Sequence, residues 1–181
     1  MSHNKQYGGK FMNKRHAYMI MAHHRPDLLQ LLISALDDER NDIVIHIDRK
    51  SEMEPQKFAC NNANLVFIKQ ISVNWAGYSQ IECEYRLLEA ALKLGYHAYY
   101  HFITGVNYPL WNQDYIHEYF EKNEGVEYVG FDNGACFDER VEYYIPFSEH
   151  GKLRGIGGRL IGSVRKIAVS FQKIAKISRL K

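Results

Sequence analysis

The fold is decided by residues 17–48, which read AYMIMAHHRPDLLQLLISALDDERNDIVIHID. The first eight residues are largely apolar and of strand length, and Arg25-Pro26-Asp27 follows them. Proline suits the first turn of a helix and an acid suits its positive end, so this turn predicts the start of a leucine-rich helix. The β-branched run at 43–48 is too short for a globular helix and predicts a second strand. Together these patterns predict a strand–helix–strand unit.

The same alternation continues along the chain. Further strands are predicted at 65–68, 99–103 and 126–131, and further helices at 79–94 and 113–122. The first of these helices opens with the capping-box pattern Ser79-Gln-Ile-Glu82 and ends before Gly95. Strands that alternate with helices favour an α/β fold, with a mostly parallel sheet flanked by helices.

Composition bounds the class of protein. The 181 residues are 46% hydrophobic and 24% charged, and their mean hydropathy is −0.40, which excludes a disordered or collagen-like chain. The sequence contains no apolar run of the ~18 residues that cross a membrane, and its polar first ten residues do not resemble a secretory signal. The three cysteines show no CxxC spacing, which fits a reducing compartment. We therefore expect a cytoplasmic chain without a targeting segment.

The near-neutral net charge of +2 conceals an asymmetry. Residues 1–151 carry 14 Lys and Arg with all 21 acids, whereas residues 152–181 carry nine Lys and Arg and no acid. In the basic segment, apolar side chains recur at helical spacing: Leu153, Ile156, Leu160, Val164, Ile167, Phe171, Ile174 and Ile177. The pattern predicts one or two basic amphipathic helices, although four glycines weaken the first half.

Several interpretations of the basic segment stay open. It could connect two parts of a larger domain, or lie peripherally on an anionic membrane surface. Contact with nucleic acid is disfavoured, because the segment has no platform of aromatic and basic side chains on which bases could stack. A helix face that is simply solvated is the alternative without a function.

Ligands of open α/β sheets bind at the carboxyl ends of the strands, which here directs attention to residues 23–25, 46–51 and 104–109. Asp48 is the kind of strand-end acid that accepts hydrogen bonds from ribose hydroxyls or a base N–H; the alternative is that it only caps the following turn. His23 and His24 are expected to point to opposite faces, so that one lines a pocket and no metal ion is shared. His46 could ligate a cation together with Asp48 or bond to the backbone.

Other chemistry is not supported. The glycines between residues 155 and 162 lack both the third glycine of GxGxxG and the lysine of a phosphate-binding loop. The sequence shows no serine elbow and no Cys/His pair that would indicate a covalent nucleophile.

Four distinctive blocks lie at 17–24, 45–51, 73–79 and 100–110, and they read AYMIMAHH, IHIDRKS, VNWAGYS and YHFITGVNYPL. In their order and spacing they resemble the core-2/I-branching β-1,6-N-acetylglucosaminyltransferase family, which includes protein xylosyltransferases. The resemblance covers about residues 15–150 and includes DERVEYY at 138–144, which is similar to an E-R-x-x-x-Y segment of the family.

The resemblance implies a GT-A-like, Rossmann-like fold and a metal-independent, inverting transfer of N-acetylglucosamine or xylose. The donor would be a UDP-sugar and the acceptor a glycan or protein. The implied nucleotide-binding residues are His23, His24, Asp48, Trp75, Tyr78 and Ser79. Gly105 and Asn107 would lie at the edge of the donor site, and Glu139 would contact the acceptor sugar. The family commonly has Asp where this chain has Asn107, so the hydrogen bond or charge of that Asp is in doubt.

The resemblance also implies that the general base and the basic residues that hold the diphosphate lie downstream of Lys181. We therefore expect residues 15–150 to form the nucleotide-sugar-binding region of a truncated transferase and residues 151–181 to form a basic connector or tail. A catalytically silent UDP-sugar- or protein-binding module, or an adaptor at the membrane surface, is the alternative.

Overall fold

The computed structural model describes residues 15–130, 142–147 and 156–179. The strands are β1 His16–Ala22, β2 Asn41–Ile47, β3 Asn64–Phe67 and β4 Tyr99–Thr104. The helices are α1 Pro26–Ala35, α2 Tyr78–Leu94, α3 Gln113–Lys122 and α4 Ile156–Ile174, and a short 3-10 turn spans Pro55–Lys57. The strands and helices predicted between residues 17 and 122 are thus confirmed, with small shifts at their ends.

The strands form one parallel sheet in the order β3-β2-β1-β4. From β1 the chain moves outwards to β3, and then returns to the other side of β1 to form β4. Strand order therefore reverses between β1 and β4, and in α/β sheets the crevice at the carboxyl ends of two such strands is where ligands usually bind. The predicted α/β class is confirmed, and the sheet is consistent with a GT-A-like domain.

Helix α1 covers one face of the sheet. Its leucine-rich stripe and the alternate residues of β1 and β2 form one buried cluster with side chains from the loop after β2: Tyr18, Ile20, Ala22, Leu29, Leu32, Ile33, Leu36, Ile43, Ile45, Ile47, Met53 and Phe58. Side chains alternate between faces along a strand, so this set comes from a single face. The packing anchors the start of α1 beside the end of β1.

The remaining side chains of β1 and β2 point to the opposite face. Met19 and Val44 are buried there, and α2 buries a stripe of Cys83, Leu87 and Ala91 at four-residue spacing. Burial on both faces explains the apolar runs at 17–22 in β1 and 43–45 in β2. Burial also raises the pKa of the Cys83 thiol to about 12, with Glu84 and Asp48 adding to the shift.

Helix α2 does not begin as the capping-box pattern predicts. It starts at Tyr78, so Ser79 lies inside the first turn, where its hydroxyl oxygen accepts the N–H of Asn74 at 2.9 Å. Ala76 adopts a left-handed conformation with φ 58°, and the N–H of Gly77 donates to the carbonyl of Asn74. This tight turn moves the helix start one residue earlier than the Ser79 motif indicates.

The predicted strand at 126–131 is wrong for residues 126–130, which form no regular element, and residue 131 lies outside the described residues. Val126, Tyr128 and Val129 are all exposed. A strand needs a neighbour to satisfy its backbone groups, and none of the described strands pairs with this segment. The β-branched and aromatic composition of this segment is therefore not enough by itself to form a strand.

In the described part of the basic segment, residues 156–174 form one continuous helix, α4, despite Gly157, Gly158 and Gly162. Tertiary bonds support it: the buried Gln172 side chain bonds to both backbone groups of Tyr144. Packing of this kind outweighs the low helix propensity of glycine. None of the helices in the described residues is long and apolar enough to cross a membrane.

Contacts divide the chain into two compact units. Within the described residues, the first unit comprises 15–72 and 82–124 and contains the whole sheet. The second comprises 73–81, 125–130, 142–147 and 156–179. Helix α2 begins in the second unit and continues into the first.

Candidate functional site

Backbone hydrogen bonds join the carboxyl ends of β1, β2 and β4. The N–H of Asp48 donates to the carbonyl of Ala22 at 2.8 Å, and the N–H of Gly105 donates to the carbonyl of Met21 at 2.8 Å. Asp48 and Gly105 therefore flank the end of β1, and His23 follows directly. The sheet thus gathers residues that lie far apart in the sequence at one edge.

Asp48 caps the turn after β2. Its side chain is largely buried, Oδ1 accepts the N–H of Lys50 at 2.8 Å, and Oδ2 lies 3.7 Å from the Lys50 ammonium. Turn capping was the alternative to a ligand-binding role, and the structure shows it directly. A carboxylate accepts about four hydrogen bonds, so turn capping and ligand binding are compatible.

His23 and His24 lie in the turn after β1 and stack on each other, with ring centroids 4.1 Å apart and planes 29° from parallel. The prediction that they point to opposite faces is wrong, because β1 ends at Ala22 and strand alternation ends with it. Partial burial lowers the pKa of His23. The neighbouring His24 and Lys50 lower this pKa further, whereas the carboxylate of Asp48 raises it. The lowered pKa favours the neutral form of His23.

The histidine pair lies at a cleft of about 610 Å³, within the size range of small-molecule pockets. The lining combines polar and apolar side chains from α1 and from the loop after β2: His23, His24, Pro26, Gln30, Lys50, Ser51, Glu52, Met53, Glu54, Lys57 and Phe58. Lys50 lies inside a block that resembles the family, although the site prediction omits it. Met53 and Phe58 belong to no motif, and only the folded chain brings them to the cleft.

Helix α1 presents its positive end beside this cleft. Its N-cap residue, Arg25, is left-handed with φ 57° and makes no side-chain capping bond, because a guanidinium has no acceptor atom; it donates instead to Asp27 at 2.9 and 2.7 Å. Pro26 occupies the first turn. The backbone N–H groups at a helix start favour an anionic ligand such as a phosphate.

His46 is a core residue. It is almost fully buried, and its Nε2 accepts the N–H of Ile71 at 3.0 Å. Burial is also the main cause of its lowered pKa. Of the two interpretations left open for His46, backbone bonding is confirmed. Among the described residues, His, Cys, Asp and Glu side chains form no group of three or more that could hold a metal ion.

Asn107 closes the turn after β4. Its Oδ1 accepts both the N–H and the hydroxyl of Thr104, at 2.6 and 2.7 Å, and its own N–H donates to the carbonyl of Thr104. An aspartate could accept the same two bonds. Either residue would therefore keep the turn, and Asn107 does so without a negative charge.

Gly105 permits the close approach of β4 to β1. A Cβ atom at this position would lie 2.8 Å from the Cβ of Ala22 and 3.4 Å from Cδ1 of Leu29. Carbon atoms do not approach so closely without displacement of the chain, so a residue without a side chain is required here.

The other predicted site residues lie in the second compact unit or outside the described residues. Trp75 and Tyr78 are mostly exposed, at 72% and 63%, and Ser79 is buried with its hydroxyl engaged by Asn74. Glu139 lies outside the described residues.

The sequence model of the core-2/I-branching enzyme family matches residues 16–133, well over half of the chain. The matched segment contains all four strands, helices α1 to α3, and every predicted site residue except Glu139. A search of curated proteins gave no significant match.

Proposed function

The chain belongs to the core-2/I-branching enzyme family of glycosyltransferases, and from this membership we propose that it binds a UDP-sugar at the carboxyl edge of β1, β2 and β4. The donor sugar in this proposal is N-acetylglucosamine or xylose, and the acceptor is a glycan or protein. Transfer inverts the anomeric centre.

The arrangement of Asp48 and Gly105 on either side of the β1 end carries the proposal. Asp48 offers carboxylate oxygens to the hydroxyl or N–H donors of a nucleoside. The neutral His23 can donate one hydrogen bond and accept another, and the stacked His24 ring adds a flat surface for a base. Lys50 and the start of α1 supply positive potential for the phosphates.

We further propose that donor binding needs no divalent cation. At the end of β4, Asn107 supplies a neutral amide whose oxygen already accepts two bonds from Thr104. Hard cations such as Mg²⁺ and Mn²⁺ prefer carboxylates, so this amide is a poor ligand for them. Positive side chains would then balance the charge of the diphosphate.

Inverting transfer requires a general base within hydrogen-bond reach of the acceptor hydroxyl. We assign this role to none of the described residues. A module that binds the UDP-sugar without transferring it is the second candidate. The transferase would consume the UDP-sugar and the binding module would not, whereas both would bind it in the same way.

Calorimetric titration of the chain with UDP, UDP-N-acetylglucosamine and UDP-xylose, with and without EDTA, tests the proposal. We expect saturable binding that EDTA leaves unchanged. Binding of none of the three would contradict the nucleotide site, and binding that EDTA abolishes would contradict metal independence.

Asp48→Asn sharpens the test, because Asn preserves an acceptor for the Lys50 N–H while the negative charge is lost. A hydrogen bond to a charged acceptor is about 1 kcal/mol stronger than a neutral one, so we expect roughly fivefold weaker UDP binding. Glu89→Gln is the matched control, since this exposed carboxylate on α2 pairs only locally with Lys93. Equal affinities of the two variants would remove Asp48 from the site.

A further inference from the structure

Helix α4 carries an apolar stripe that faces solvent. It consists of Ile156, Leu160, Val164, Ile167, Phe171 and Ile174, which are between 44% and 82% exposed. Their spacing of three or four residues places them on one side of the helix. We call this set the α4 stripe.

A line of cations runs beside the α4 stripe. Arg159, Lys166 and Lys173 recur every seven residues, so they lie nearly in line along the helix axis, and all three are exposed. No acidic residue occurs anywhere between residues 152 and 181. We call these three residues the basic row.

A side of α4 away from the stripe packs within the second unit, where the Lys173 ammonium lies 5.6 Å from the centroid of the Tyr143 ring. The Gln172 side chain bonds to the backbone of Tyr144, and the Arg165 guanidinium donates to the carbonyls of Pro146 and Phe147 at 3.2 and 2.6 Å. These contacts orient the helix about its axis and leave the stripe facing away from residues 142–147. The stripe therefore stays exposed even though α4 is packed within the second unit.

The charges beside the stripe select its partner. A second copy of the helix would bring two like-charged basic rows close together, which is unfavourable. A nucleic acid would satisfy the cations but leave the apolar stripe in water. An anionic lipid surface satisfies both, because acyl chains cover the stripe while phosphates meet the basic row.

We propose that α4 is a surface-lying helix that binds anionic phospholipid bilayers. The α4 stripe lies at the boundary between headgroups and acyl chains, and the basic row contacts lipid phosphates. None of the described helices is suited to span a bilayer, so α4 lies in the plane of the membrane. The proposal concerns the second unit alone and holds whether or not the first unit binds a nucleotide.

Co-sedimentation of the full chain with vesicles tests this proposal. We expect binding to vesicles of phosphatidylglycerol and phosphatidylcholine and little binding to vesicles of phosphatidylcholine alone. Each basic residue at a membrane surface contributes about fivefold, so the double variant Arg159→Gln, Lys166→Gln is expected to bind about 25-fold more weakly. The double variant Lys93→Gln, Lys122→Gln is the matched control, because it removes two exposed cations from α2 and α3.

A second variant separates apolar insertion from charge. Ile167→Gln with Phe171→Gln changes two exposed side chains and no charge, and it is expected to weaken vesicle binding at least about tenfold. Far-UV circular dichroism of each variant verifies that the helices are retained. Increased salt is expected to weaken binding of the original chain.

Three results would overturn the proposal. The first is equal binding to neutral and anionic vesicles, and the second is an equal loss of binding in the basic-row variant and its control. The third is a dimer of the original chain that the Ile167→Gln, Phe171→Gln variant no longer forms, while vesicle binding is unchanged. That result would identify a second copy of the chain as the partner of the stripe.

Discussion

Asp48 combines a local structural bond with a position at the carboxyl edge, and two substitutions separate the roles. Asp48→Ala removes the acceptor of the Lys50 N–H, so we expect the free energy of unfolding to fall by about 1 kcal/mol. Asp48→Asn keeps that acceptor and is expected to be nearly as stable as the original chain. Urea denaturation of both variants measures this difference, and equal stability of the two would show that the cap contributes nothing.

Gly105 is the residue on which the approach of β4 to β1 depends. Gly105→Ala places a Cβ at 2.8 Å from the Cβ of Ala22, and we expect a loss of about 1–3 kcal/mol in the free energy of unfolding. Gly130→Ala is the control, because a Cβ there has no heavy atom within 4 Å. Thermal denaturation compares the two variants, and a loss no larger for Gly105→Ala than for Gly130→Ala would contradict the close-approach argument.

At the scale of elements, three histidines join β1, β4 and α3 near the opposite end of the strands. The Nδ1 of His16 lies 3.1 Å from the Nε2 of His101, and the rings of His16 and His117 lie 4.1 Å apart. Burial, followed by the neighbouring histidines, lowers the pKa of His16 to about 3 and of His101 to about 4. Burial also lowers the pKa of His117, to which Arg40 adds.

This cluster predicts a dependence of stability on pH. An unfolded histidine titrates near 6.5, so between that pH and about 4 the unfolded chain binds more protons than the folded chain. The stabilisation is complete above pH 6.5 and is lost as the pH falls, down to about 4 for His101 and about 3 for His16. We expect the free energy of unfolding to decrease by more than about 2 kcal/mol across this window, measured by urea denaturation at each pH.

A variant identifies the origin of this effect. His101→Gln removes one titrating ring, and its stability is expected to change less steeply between pH 6.5 and 4. Carboxylates with low folded pKa values, such as Asp38 at about 2, begin to contribute below about pH 5 and do so mainly below pH 4. A slope unchanged by the substitution would exclude His101 as a source.

The elements differ in how far the sequence predicts them. Helix α1 follows from its apolar periodicity, and β1 and β2 follow from short apolar runs that are buried on both faces. The segment at 126–130 has suitable residues for a strand but no partner among the described strands, and local sequence carries no information about a partner. The continuity of α4 also depends on distant bonds, such as that of Gln172 to Tyr144, which outweigh its glycines.

At the scale of the whole molecule, parallel topology makes part of the site predictable. Carboxyl ends of parallel strands meet at one edge, so His23, Asp48 and Asn107 could be grouped from the sequence alone. The contacts of these residues could not be predicted from the sequence, because the stacking of His23 on His24 depends on where β1 ends. Met53 and Phe58 reach the cleft from the loop after β2, and no sequence motif identifies them.

The location of the nucleotide is the central claim, and NMR of the histidine side chains during a UDP titration tests it most directly. The chain has nine histidines, which His→Gln variants assign individually. We predict saturable shifts of the His23 and His24 signals, while those of His16, His101 and His117 remain unchanged. Shifts confined to the latter three, or no shift of any histidine at saturating UDP, would contradict a nucleotide site at the carboxyl edge of β1.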